Sequence, residues 1–366
     1  MVKLLDESLL KLADSVVVVS GGSTGIGAAV VSQLTLQGAK VVIGDVTEPA
    51  PAQAHDSGAA DVTFVHTDVR KYQDIIRLFD TALSKYGHVD HAIAAAGTPP
   101  RRGPAFDPKA GIEGIRHGPP EEDDGVLEIN SRGALWFAHV AVQYLSHDGG
   151  EDEEGKSKDG GSRSSYRNKS LTLTASIASW LEFSGLVAYQ ASQHSVLGIV
   201  RSLRRYLPAA FGDKIDGGIR VNSVSPILTY DDDNKQTLPP TAAIETTQKA
   251  WVEAGLEASS VLDVARVIVG CARAGWGTQA IWYDGKDAPG LRQRAHYGAM
   301  DWVNDEPEAR GMNGRNWVLI GGKSYDTEES YDRTMDLWLG APPAAQVREA
   351  LKVLGPAGDW VNRQQQ

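Results

Sequence analysis

The first residues with a chemical use form one octapeptide, Ser20-Gly21-Gly22-Ser23-Thr24-Gly25-Ile26-Gly27. An apolar, β-branched run at 16–20 leads into it, and 25–37 then reads as a helix stopped by Gly38. Glycines at such a junction permit a tight turn and close approach of a ligand. Free N–H groups at the helix start attract a diphosphate. Ser23 and Thr24 add hydroxyl donors. A glycine-rich string alone says little, but a strand before it and a helix after it make a dinucleotide site the expectation. Asp45 closes the next strand, 18 residues after Gly27. A carboxylate there accepts hydrogen bonds from an adenosine ribose and repels a 2′-phosphate, so NAD is expected, with NADP as the alternative.

The elements that must position this turn alternate along the chain. Strands are expected over 40–45, 61–66, 89–95, 170–174 and 219–224, with a last strand over 316–320. Helices are expected over 71–86, 125–146, 189–207 (stopped by Pro208) and 260–273. That alternation predicts an α/β fold, a doubly wound Rossmann-type parallel sheet flanked by helices. A single domain over 1–366 is expected, its core about 14–273 plus 316–320. Irregular segment 98–124, polar low-complexity segment 148–167 and aromatic-rich segment 275–310 read as loop insertions, the second of them flexible. Residues 321–366 read as a C-terminal extension whose amphipathic stretch, 328–339, packs on the body or on a second copy of the chain.

Composition narrows the partners. With 42% hydrophobic and 23% charged residues the chain has the make-up of a soluble globular protein. The single cysteine, Cys271, excludes an internal disulfide and fits a reducing compartment, so a cytoplasmic location is expected. No apolar run approaches the roughly 20 residues that span a bilayer, and the first 15 residues lack the marks of a signal peptide. A net charge of −11 argues against nucleic acid as the ligand. The basic run RSLRR at 201–205 reads as a solvated helix face. No His/Cys/Asp cluster has metal-ligand spacing, so no metal is expected.

Further motifs resemble the short-chain dehydrogenase/reductase family over about 16–226. The turn is similar to that family's T-G-x-x-x-G-x-G, with Ser20 in the threonine's place. Asp68-Val69 resembles the pair whose aspartate contacts the adenine amine. Ala94-Ala95-Ala96-Gly97 stands where N-N-A-G is usual. Leu127-Glu128-Ile129-Asn130 resembles the segment of the catalytic asparagine. Ser176 precedes Tyr189 by 13 residues, as the catalytic serine precedes the tyrosine, and Val221-Asn222-Ser223-Val224-Ser225-Pro226 closes the pattern. The resemblance implies a nicotinamide cofactor held by Gly21, Ser23, Thr24, Gly25, Ile26, Gly27, Asp45, Asp68, Val69, Ala96, Gly97, Asn130, Tyr189 and Gln193. It implies a small-molecule substrate and catalytic roles for Ser176, Tyr189, Asn130 and Gln193. A carbonyl accepting hydride needs a proton, which Tyr189 can supply while Ser176 holds the reacting oxygen; Asn130 would fix a water or a helix backbone.

Two positions depart from that pattern. The family has Y-x-x-x-K, and residue 193 is glutamine. The lysine binds the nicotinamide ribose and its charge favours the tyrosinate; glutamine keeps the hydrogen bond and loses the charge. His194, the next residue, points about a quarter-turn away and does not replace it. Ile227 follows Pro226 where glycine is common. Three readings stay open. One is an oxidoreductase acting on a ketone or secondary alcohol of a medium-sized apolar molecule, with Trp180, Leu181 and Phe183 lining the pocket. The others are a repurposed enzyme of elimination, isomerisation or cyclisation, and a non-catalytic dinucleotide-binding protein. The insertions resemble those of fungal secondary-metabolism members.

Overall fold

The computed structural model describes residues 12–49, 61–99, 111–117, 125–147, 168–212, 218–230, 249–251, 253–255, 258–274, 313–320, 323–328, 337 and 341–354. Strand β1 (Val16–Ser20) is buried on both faces, as its unbroken valines require. Helix α1 (Gly25–Leu36) follows it, then β2 (Lys40–Asp45), β3 (Val62–His66), α2 (Tyr72–Tyr86) and β4 (His91–Ala94). A short helix α3 (Gly111–Ile115) lies in the segment expected to be irregular. A π-helical turn (Leu127–Gly133) runs into α4 (Ala134–Leu145), where one continuous helix was expected. Next come β5 (Ser170–Thr174), a 3-10 turn (Ile177–Ser179), α5 (Val187–Phe211), β6 (Arg220–Pro226), β7 (Thr229–Tyr230), β8 (Ser259–Ser260) and α6 (Val261–Arg273). Strands β9 (Asn316–Ile320) and β10 (Lys323–Asp326) and helix α7 (Ala341–Leu354) complete the order.

The main sheet has the order β10-β9-β6-β5-β4-β1-β2-β3. All its pairings are parallel except β9 with β10. The expected doubly wound α/β fold is therefore present. The expectation that β9 ends the sheet is corrected: an antiparallel hairpin adds one more edge strand, which the polar sequence KSYD does not announce. Successive side chains of β1 enter opposite cores. Val16 and Val18 pack with Phe79, Phe137 and Leu145 of α2 and α4, whereas Val17 and Val19 pack with Leu34 of α1 and Ile268 of α6. The chain order reverses between β1 and β4, and ligands of such sheets bind in the crevice beyond the strands' carboxyl ends there.

Helix α5 carries Tyr189 near its start and does not stop at Pro208; it runs on to Phe211. Proline lacks the N–H that would bond the carbonyl four residues earlier, that of Arg204. The Asn313 side-chain amide donates to that carbonyl at 2.8 Å, and its Oδ1 accepts from Val221 N–H at 2.8 Å. A side chain from outside the helix thus repairs the ladder. The basic run after Tyr189 is also corrected. Arg201 and Arg204 do not face solvent alone but grip Glu328, which is 2% exposed. Segments 148–167 and 275–310, and most of 321–366, lie outside the described residues.

Candidate active site

The glycine turn sits at the reversal crevice and is shaped by its own packing. Gly21 and Gly25 have φ of 73° and 54°, in the left-handed region that glycine tolerates. A Cβ on Gly21 would lie 2.5 Å from Ala96 Cα, and one on Gly27 would lie 1.9 Å from the Gly21 carbonyl oxygen. Ala95 and Ala96, beyond β4, therefore form the far wall of the turn, and Gly97 after them faces Asn130. Thr24 is the N-cap of α1 with extended backbone, and its hydroxyl makes no capping bond. The N–H groups of Gly25, Ile26 and Gly27, in the first turn of α1, have no intrahelical acceptor by construction.

Asp45 stands beside this turn, its Oδ2 accepting the Ser23 N–H at 3.1 Å and its Oδ1 the Thr47 N–H at 3.1 Å. Asp68 and Val69 follow β3. The Asp68 carboxylate is gripped by Arg70, Nε to Oδ1 at 2.9 Å and Nη2 to Oδ2 at 2.8 Å. That hydrogen bond, opposed by partial desolvation, holds the carboxyl below its usual range. The Arg70 grip has no signature in the motif and was missed in the sequence. Val69 packs on Gly133, where a Cβ would come within 2.9 Å of it, and so ties this loop to the π-helical turn.

Asn130 sits in that π-helical turn, 4% exposed. Its Oδ1 accepts Thr98 N–H at 2.8 Å and its Nδ2 donates to the Thr98 carbonyl at 2.9 Å. The backbone it fixes directly is thus the loop after β4. Its Nδ2 also reaches Ser192 Oγ at 3.4 Å, and that hydroxyl donates to the Tyr189 carbonyl at 2.7 Å. Asn130 acts on the site by holding two segments in register.

Ser176 caps the 3-10 turn after β5, its Oγ accepting Ala178 N–H at 3.2 Å. The Ser176 hydroxyl also meets the Tyr189 phenol. Burial pushes that phenol above its ordinary value of 10, and the Ser176 hydrogen bond pulls the other way. No charged side chain among the described residues adds to the balance. Gln193 lies one turn beyond Tyr189, 6% exposed, with its Oε1 making no hydrogen bond. The Ser23 hydroxyl at the other end of the crevice, 3% exposed, is likewise without a partner. Unpaired buried polar atoms cost free energy unless a ligand completes them. A donor at the glycine turn and an acceptor one helical turn past the phenol are groups that a bound dinucleotide could complete.

The segment between Ser176 and Tyr189 is a built wall. Gln190, not singled out in the sequence, donates through Nε2 to the Leu181 carbonyl at 2.9 Å and accepts Phe183 N–H through Oε1 at 3.0 Å. The Trp180 ring lies under the Arg201 guanidinium, 4.8 Å from its centroid. Leu181 is 52% exposed. His194 Nδ1 faces the Gln190 carbonyl at 2.9 Å, on its own helix. The Ile227 N–H bonds the Leu319 carbonyl at 3.2 Å, so the glycine-less turn after Pro226 is drawn onto β9. Among the described residues no cluster could hold a metal, and no helix is long and apolar enough to cross a membrane.

The family described as short chain dehydrogenase matches residues 15–156. A curated relative, short-chain dehydrogenase/reductase ascJ of Acremonium egyptiacum, is 30% identical over 238 residues, 64% of this chain and 69% of the relative. The chain is a short-chain dehydrogenase/reductase. Short-chain dehydrogenase/reductase prx4 of Penicillium roqueforti is similar over more of it, 26% identical across 92% of this chain and 83% of that one. The solved structure of levodione reductase shares the fold at a TM-score of 0.53 and 19% identity, covering 70% of this chain and 90% of that one. As a family member with this Rossmann sheet, the protein is an oxidoreductase enzyme using a nicotinamide dinucleotide and a small-molecule substrate.

Proposed function

We propose that this enzyme works chiefly as an NADH-dependent ketone reductase on a medium-sized apolar molecule, in the manner of secondary metabolism. The observation that carries this reading is the state of Tyr189: a phenol desolvated, hydrogen-bonded to Ser176 and with no cation acting on it among the described residues. Such a phenol stays protonated at neutral pH and is an acid rather than a base. The bound cofactor would supply hydride to the carbonyl carbon. Tyr189 would give its proton to the oxygen and Ser176 would hold that oxygen in line. Gln193 Oε1 would accept a ribose hydroxyl, Ser23 and the first turn of α1 would hold the diphosphate, and Asp45 would take the adenosine ribose. A solvent-side wall of Trp180, Leu181 and Phe183 suits an apolar skeleton.

The test is hydride transfer against cyclohexanone, camphor and a steroid ketone, with the matching alcohols, using NADH and NADPH. Ketone reduction with NADH is expected to exceed alcohol oxidation at pH 7; no transfer with any pair would end this reading. Because Asp45 is anchored to the turn that would hold the diphosphate, next to the adenosine ribose, NADH is expected to bind at least about tenfold more tightly than NADPH. Titration calorimetry decides this, and equal affinities would remove Asp45 as the selector. Gln193→Lys is expected to restore a charge that lowers the phenol by about one unit or more. Alcohol oxidation at pH 7 then rises about tenfold and ketone reduction changes less. Equal gains in both directions would contradict the acid role of Tyr189.

A further inference from the structure

We propose that Glu328, just beyond β10, acts through Arg201 as a positioning residue for Trp180 in the wall of the active site. This rests on the reading of Ser176 and Tyr189 above, but its geometry is independent of the cofactor.

Three consecutive residues at the end of β10 each find a buried or half-buried polar partner on the main body. Asp326 accepts Arg315 Nη1 at 2.6 Å, Thr327 meets Asn316 Nδ2 at 2.9 Å, and Glu328 takes both arginines of α5. Glu328 is 2% exposed. Its Oε1 accepts Arg201 Nε at 3.0 Å, and its Oε2 accepts Arg204 Nη1 at 2.7 Å. A carboxylate so buried needs its desolvation compensated, and two guanidinium groups do so here.

Arg201 has a second contact. Its guanidinium carbon lies over the Trp180 ring, 4.8 Å from the ring centre. Trp180 ends the 3-10 turn that Ser176 begins, four residues on. A guanidinium is planar and forked, so fixing its Nε edge on a carboxylate also fixes the plane it presents to an aromatic ring. The line Glu328–Arg201–Trp180 therefore sets the orientation of the indole next to the catalytic serine. Opposite Trp180, Gln190 fixes the next turn of the same wall through the Leu181 and Phe183 main chain. The wall is held twice by the tyrosine's own helix, through Gln190 and through Arg201, and Glu328 braces the second of these.

The experiment compares Glu328→Gln, Arg201→Met, Trp180→Leu and Glu328→Gln/Trp180→Leu in the full chain, with camphor and NADH. Each single change is expected to raise the KM for camphor about fivefold or more, with kcat and the KM for NADH within twofold. The double variant is expected to be no worse than Trp180→Leu alone, because both changes cut one line. Glu328→Asp should recover part of the loss. Arg201→Met leaves Arg204 on Glu328, so it reports on the line where Glu328→Gln fails to fold.

A second readout needs no turnover. The tryptophan emission assigned to Trp180, taken as wild type minus Trp180→Phe, is expected to become more open to acrylamide quenching in Arg201→Met. Additive kinetic losses, or an unaltered KM in every variant, overturn the proposal. So does an unchanged Trp180 quenching constant, which decides the matter even if camphor is not reduced and the ketone reading itself fails.

Discussion

Tyr189→Phe is expected to lower kcat/KM for ketone reduction by about 100- to 10,000-fold, the range lost when a positioned proton donor is removed. The phenyl ring fills the same space, so the loss reads proton transfer and not packing. NADH affinity should stay within about threefold, because the groups assigned to the diphosphate lie at the other end of the crevice. The pH profile carries the sharper test. Burial raises the phenol above 10, with Ser176 only partly opposing. Its proton is thus retained throughout the neutral range, and the reduction rate is expected to stay flat from pH 6 to 9. Alcohol oxidation, which needs the phenolate, should rise about tenfold per pH unit over the same range. A retained rate in Tyr189→Phe would remove the redox role of the phenol; a flat oxidation profile would assign proton removal to another group.

Lys169→Met is expected to cost roughly 3–5 kcal/mol of stability, because it strands a buried carboxylate. The site lies at the amino ends of the central strands, away from the crevice. Asp90 Oδ2 accepts Val16 N–H at 2.9 Å and His88 Nε2 at 3.1 Å, and Oδ1 accepts Lys169 Nζ at 3.2 Å. Lys169 Nζ also donates to the Val89 carbonyl. The pair is buried, with side-chain exposures of 2% for Lys169 and 10% for Asp90. Burial would raise the Asp90 carboxyl, but His88 and the Lys169 charge overcome it and hold the group well below its usual range. His91, alongside, is pushed down to about 3 by complete burial, against the pull of Asp90.

Both groups have folded values below their unfolded ones, so the stability they contribute is complete above the unfolded values and is lost as pH falls. For His91 the loss starts below about 6.5 and continues to about 3; for Asp90 it starts below about 3.9. Urea midpoints are expected to fall from pH 7 to pH 4, and His91→Asn should flatten that slope. A Lys169→Met protein with an unchanged midpoint at pH 7 would show that water, not lysine, compensates Asp90.

Local chemistry made much of this architecture legible in the chain. The valines of β1, the stop at Gly38 and the glycines of the turn each state a backbone requirement that no tertiary context overrides. Hence the doubly wound sheet and the turn at its reversal point could be read directly. The order of Ser176, Tyr189 and Gln193 was legible for the same reason: the latter two share one face of one helix. What sequence did not yield depends on partners far along the chain. Pro208 looks like a stop until Asn313, 105 residues later, offers its amide to the orphaned carbonyl. Arg201 and Arg204 look solvated until Glu328 is folded onto them. Strand β10 is polar and needs only β9 beside it to form. Asn130 was expected to steady a water or helix backbone; its direct grip on the Thr98 main chain, with helix α5 reached only through the Ser192 hydroxyl, could not be read from its motif.

The amide of Asn313 has a consequence for synthesis of the chain. Helix α5 is emitted by the ribosome long before residue 313 exists, so its last turns begin life one hydrogen bond short. Nascent chains cut before residue 313 should therefore fray at the far end of that helix, while the turns around the phenol, near its start, keep their own hydrogen bonds.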